Sequence, residues 1–110
     1  MTSRFKNISE WIAKACDCYM DLNKSSGLLM GLIDKQLRSQ GVPADAITVE
    51  LPAKKLKLIV VVHDDLNNKI EVHTGNRNGD IYSSISEDFN KLSEERIQEI
   101  IFAELSRDIN

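Results

Sequence analysis

Cysteine and histidine are scarce in this chain, two of each, and the scarcity excludes more chemistry than any motif adds. The cysteines stand as Cys16-Asp17-Cys18 in a stretch with helical apolar spacing. Residues two apart on a helix point about 200° apart, so this pair can neither share a metal nor bridge readily. A structural zinc centre needs a second Cys or His pair at set spacing, and none follows. Ordinary, partly buried thiols are expected. Aromatic residues make up only 5% of the chain, and none stands near the small basic cluster of Lys54, Lys55 and Lys57, so base stacking has no platform there. A glycine-rich phosphate loop with its lysine is missing. No apolar run approaches the ~20 residues of a membrane-spanning helix. Met1 to Lys14 lacks the basic start and apolar middle of a secretory signal, so a cytoplasmic location without membrane partners is expected.

What is present is ordinary for a globular protein: 42% apolar residues, 28% charged residues and a formal net charge of −3 over 110 residues. Neither repeats nor a linker interrupt the chain, and its length suits one domain, 1–110, with a modest core of its own. The charge is uneven, at +2 for residues 1–40, −1 for 41–80 and −4 for 81–110. A mildly acidic chain creates no global field that recruits nucleic acid or anionic membrane. Its acidic C-terminal part is read as a solvated helix face, with a basic partner as the alternative.

Apolar periodicity changes along the chain. Phe5, Ile8, Ile12, Ala15, Tyr19 and Leu22 recur every three or four residues and predict a helix, widened by Trp11 and Cys18 and capped by Ser3 or Ser9. A break at Asn23–Gly27, with Ser25 or Ser26 as a cap, introduces a second expected helix carrying Leu28, Leu29, Leu32, Ile33 and Leu37, stopped by Gly41 and Pro43. One long helix over 4–40 is the alternative. Gly27 and Gly31, four apart, would then leave a groove on that helix. Ile47, Val49 and Leu51 alternate, a turn falls around Pro52 and Ala53, and Leu56 to His63 is the strongest strand signal. Lys69 to His73 alternates again, which predicts an antiparallel meander. Ile81 to Ile85 is read as a short fourth strand or a lead into the last helix, with Ser86 and Ser93 as caps. That helix shows an Ile97, Ile100, Ile101 and Leu105 stripe edged by Glu104 and Asp108. The expected fold is α+β: two N-terminal helices, an antiparallel meander of three or four strands, and a C-terminal amphipathic helix. The helices should cover the Val60–Val62 face, with Val60 and Ile100 inside.

Register follows from the requirement that opposed residues share a face. Val49 is expected opposite Leu58, Glu50 opposite Lys57, and Val62 opposite Val72, with Leu66 to Asn68 as the loop and Asn68 left-handed. His63 then faces Glu71, with His73 diagonal to His63 at ~7–8 Å between backbones. Two imidazoles and a carboxylate are suitable zinc ligands or acid–base groups. The expectation is nonetheless a solvated His–Glu pair, because Lys57 shares the face, no fourth ligand is evident and a hairpin end is open to water. Asp64 and Asp65 are expected to bond turn amides. The stretch Thr74 to Asp80 is read as a mobile loop, with an anion site anchored by Arg77 as the alternative.

Three functional readings result. The first is a small non-enzymatic binding protein acting through protein–protein contacts, as a regulator, inhibitor or chaperone, with no cofactor or metal. The second is an enzyme or small-ligand protein using His63, Glu71 and His73. The third is a nucleic-acid-associated protein using Lys54, Lys55, Lys57 and Arg77. The far face of the sheet carries Ile59 and Val61 at its centre, and a strand apolar on both sides usually has both sides covered. Ile59 and Val61, with Lys57 and Arg77 beside them, are therefore the expected partner contacts. A second copy across a two-fold axis is the favoured cover, and the C-terminal helix wrapping to that face is the alternative.

Overall fold

The structure is a computed structural model in which residues 3–22, 27–33, 35–64, 69–76 and 78–106 are described. The first helical stripe forms α1, Ser3–Leu22, burying Phe5, Ile8, Ile12, Ala15, Cys16 and Tyr19 on one side. Each large side chain sunk this way stabilises the fold by about 1.5–3 kcal/mol. Ser9 lies inside the helix and donates to the Lys6 carbonyl, so it is not a cap. The expected caps and break at 23–26 lie outside the described residues.

The second expected helix is not formed, and neither is the long one. Leu29–Ile33 is a strand, β1, and only one helical turn, α2, Gln36–Ser39, follows it. The run Leu-Met-Gly-Leu-Ile is apolar throughout, so helix spacing and strand alternation fit it equally. Gly31 at its centre costs a helix about 1 kcal/mol, and β2, Ala44–Leu51, has an edge whose backbone needs partners. Pairing Leu29 with Glu50 through Ile33 with Ala46 supplies them. Gly31 therefore opens no helical groove; a Cβ there would meet the Thr48 Oγ1 of β2 at 2.8 Å.

A short 3₁₀ turn, Pro52–Lys54, closed by Lys55 at φ +57°, leads from β2 into β3, Leu56–His63. Val49 pairs with Leu58 and Glu50 with Lys57, as expected. β4, Lys69–Gly75, runs back along β3, but two residues out of the expected register: Val72 pairs with Val60, and Val62 with Ile70. Both registers keep the same faces, so face alternation cannot separate them. One contact favours the register observed: Thr74, opposite Leu58, reaches Glu104 of α3. Residues 65–68, including the expected loop and Asn68, lie outside the described residues.

β5, Ile81–Asp88, is a full strand of eight residues, with Ser86 in the ladder opposite Glu71 rather than at a cap. The sheet is thus five-stranded, antiparallel and in chain order. At the turn into β5, Gly75 is obligatory because a Cβ there would stand 1.9 Å from the Asp80 carbonyl oxygen. A 3₁₀ turn, Phe89–Lys91, leads to α3, Glu94–Leu105. As expected, Ser93 caps it, accepting from the Arg96 N–H at 3.1 Å, with Glu94 and Glu95 at its positive end.

Both long helices lie on one face of the sheet. They meet through an edge-to-face Tyr19–Phe102 pair at 5.7 Å and a Lys14–Glu94 salt bridge at 2.9 Å. Beneath them Ile47, Val49, Leu51, Leu56, Leu58, Val60, Val62, Ile70 and Val72 join Ile97, Ile100, Ile101 and Leu105 in one core. α3 therefore does not wrap to the far face. No described helix is long and apolar enough to cross a membrane.

Candidate interaction surface

The face turned away from α1 and α3 carries Leu29, Gly31 and Ile33 of β1, Ala46, Thr48 and Glu50 of β2, and Lys57, Ile59, Val61 and His63 of β3. Lys69, Glu71 and His73 of β4 and Ser84, Ser86 and Asp88 of β5 complete it. This alternation follows from the pleat: every second residue of each strand belongs here. Ile59 and Val61 sit at the centre, half-buried. Around them the polar side chains are tied to one another. Lys57 lies 3.9 Å from Glu50, His63 Nε2 is 2.8 Å from Glu71 Oε2, and His73 Nδ1 is 2.9 Å from Ser84 Oγ.

The three residues of the proposed hairpin site are not gathered together. Glu71 stands opposite Val61, and His73 opposite Ile59. The two-residue change of register leaves the histidines four residues apart along the sheet, roughly 14 Å. His63 and Glu71 still meet, now on the diagonal. Among the described residues no group of three His, Cys, Asp or Glu side chains is placed to hold a metal.

The basic candidates are dispersed too. Lys54 donates to the Leu105 carbonyl at 3.0 Å, capping the end of α3 from the β2–β3 turn. Lys57 belongs to the far face, and Arg77 lies outside the described residues. Among the described residues beside it, Asn76 occupies two backbone donors that an anion could use. Its Oδ1 accepts from the N–H groups of Asn78 and Asp80 at 2.9 and 3.0 Å, and its Nδ2 donates to the Asp80 carboxylate and the Tyr82 hydroxyl.

Of the cysteines, Cys16 is buried, and burial pushes its thiol up to about 11; Cys18 is exposed. Both remain free thiols. Cys18 lines an open hollow between α1 and α3 with Trp11, Lys14 and Glu94. Glu94 raises the Lys14 ammonium above its usual pKa by hydrogen bonding and charge.

Two polar clusters were not foreseen. Arg38 grips two carboxylates: Nε and Nη2 donate to Asp45 at 2.9 Å each, and Nη1 and Nη2 donate to Asp64 at 3.0 and 2.7 Å. Asp45 is buried among the core ends of β2 and β3. The Arg38 bonds hold the Asp64 carboxyl below the usual aspartate range, and Arg38 itself is raised by both acids. The Asp64 carboxylate thus holds a side chain of α2, while the turn amides at 65–68 that it is expected to bond lie outside the described residues. The second cluster is inside the core. Glu104, expected at the solvent edge of the last helix, is buried and accepts from Thr74 Oγ1 at 3.0 Å and Ser83 Oγ at 3.5 Å. Both clusters bond across elements and tie the fold together.

Large apolar side chains also stand exposed, and five of the seven among the described residues belong to 22–42: Leu22, Leu29, Met30, Leu32 and Val42. They precede, form and follow β1. Comparison with protein-family models, curated proteins and solved structures finds no match.

Proposed function

We propose that this chain is a small non-enzymatic binding protein that presents the uncovered face of its sheet to a protein partner. One observation carries the reading. Ile59 and Val61 occupy the central strand, and both long helices lie on the opposite side. A β-branched pair at the middle of a sheet, ringed by Glu50, Lys57, His63, Glu71 and His73, has the composition of a contact patch: an apolar centre with a charged rim. The ring's internal pairs hold those side chains in place before a partner arrives, which lowers the ordering cost of binding.

The partner that fits is a protein surface with its own apolar centre and charges of both signs. The test compares affinity capture from the source cell by the parent, by an Ile59→Lys, Val61→Lys variant and by a Lys14→Ala variant on the helix side. A protein retained by the parent and by Lys14→Ala, but lost with the face variant, supports the reading. Equal capture by all three overturns it. So does a bound metal or nucleic acid in place of a protein. A second copy seated on this face would appear as a dimer broken by the same double substitution.

A further inference from the structure

We propose that β1 is a self-association edge: two copies pair their Leu29–Ile33 strands antiparallel about a two-fold axis at Gly31, joining two five-stranded sheets into one of ten strands. The argument begins with the two ends of the sheet, β1 and β5. An edge strand turns half its amides and carbonyls outward, and proteins discourage pairing there with charges, proline, bulges or a covering element. β5 has such devices: a bulge at its junction with Thr74 and Gly75, and the acids Glu87 and Asp88 at its end. β1 has none of the first three. Its five residues carry no charge and no proline, and its register with β2 is unbroken. Nor do the helices cover its side chains, since Leu29 is 61% exposed, Leu32 50% and Met30 38%.

The strand's own sequence indicates the occupant. Reversed against itself about Gly31, Leu29 meets Ile33 and Met30 meets Leu32, so every pair is apolar and no like charges are opposed. The faces agree as well. Leu29, Gly31 and Ile33 belong to the uncovered face, Met30 and Leu32 to the helix side, and a two-fold axis perpendicular to the sheet preserves both. At the axis stands the one residue with no side chain, kept small by Thr48 of β2. The uncovered face would then run on across both copies. Five residues a side make a contact smaller than a permanent interface, so the dimer forms and dissociates with concentration. This pairing does not depend on what binds at Ile59 and Val61.

Light scattering and sedimentation across micromolar concentrations test it, with amide exchange at residues 29–33 as a second measurement on the parent. The expected result is a reversible dimer whose β1 amides exchange more slowly as concentration rises. A Met30→Lys, Leu32→Lys variant sets lysines opposite one another and should weaken the dimer by at least about tenfold, while Ile59→Lys, Val61→Lys leaves it intact. A parent that stays monomeric overturns the proposal. A dimer abolished by the Ile59 and Val61 substitutions but not by those in β1 does the same. Should the β1 variant unfold, exchange in the parent decides: protection of 29–33 that is independent of concentration rejects the edge.

Discussion

At the scale of single residues, the informative positions are polar groups standing in apolar phase. Asp45 continues the inward alternation of Ile47, Val49 and Leu51, and Thr74 continues that of Ile70 and Val72. An acid in such a phase must find a cation or hydrogen-bond donors, because a bare buried carboxylate is costly. That signal was legible in the alternation; the partner was not, since Arg38 is fixed by tertiary placement of a one-turn helix. Asp64, about a third exposed, gives the pair its pH dependence. Its carboxyl is depressed by the Arg38 bonds, so the stabilisation is complete above the unfolded aspartate pKa of about 3.9. It is lost as pH falls through the lower folded value. Asp64→Asn should therefore cost about 0.5–1 kcal/mol near neutrality, and the gap to the parent should close below pH ~3.9. Urea denaturation at a series of pH values checks this; a gap that persists unchanged into acid contradicts it. Arg38→Met should be more damaging, because Asp45 is then left buried without its cation, and adding Asp45→Asn should recover part of the loss.

At the scale of elements, long amphipathic segments were readable and short apolar ones were not. α1, β2, β3 and the Ser93-capped α3 follow directly from spacing and caps. β1 was misread because five apolar residues around a glycine satisfy either period, and only the free edge of β2 decides between them. The β3–β4 register was missed by two residues because a shift of two leaves every side chain on its own face. That shift is also why a hairpin site built from His63, Glu71 and His73 does not assemble, although the His63–Glu71 contact survives. Glu104 shows the same limit on a helix. It falls beside the Ile97, Ile100 and Ile101 stripe, where sequence alone does not say whether the helix edge meets water or the sheet. In the structure it ties α3 to β4 and β5. Glu104→Ala should cost about 1–3 kcal/mol through the buried Thr74 hydroxyl that loses its acceptor, whereas Glu104→Gln, which keeps an acceptor, should cost less. Thermal and urea unfolding of the two variants provide the measurement, and an alanine variant as stable as the parent would remove the docking role.

For the whole molecule, the decisive asymmetry among the described residues is that both long helices pack on one sheet face and neither on the other. The stripes of α1 and α3 are both spent on the core around Val60 and Val62, leaving no described helix for Ile59 and Val61. If the far face is open in the free protein, charges introduced there enter water, and lysine stems can still lie along the sheet while their ammonium groups remain solvated. The Ile59→Lys, Val61→Lys variant should thus fold with the far-ultraviolet dichroism of the parent and a stability within about 1 kcal/mol of it. Truncating a residue on the packed face, as in Val60→Ala, should instead cost ~2–4 kcal/mol, since its methyl groups leave a cavity under the helices. The contrast between the two substitutions, one residue apart on the same strand, is the measurement that matters. Equal losses on both faces, or a double-lysine variant that does not fold, would mean that Ile59 and Val61 are enclosed in the free chain, and the surface on which partner binding rests would not exist.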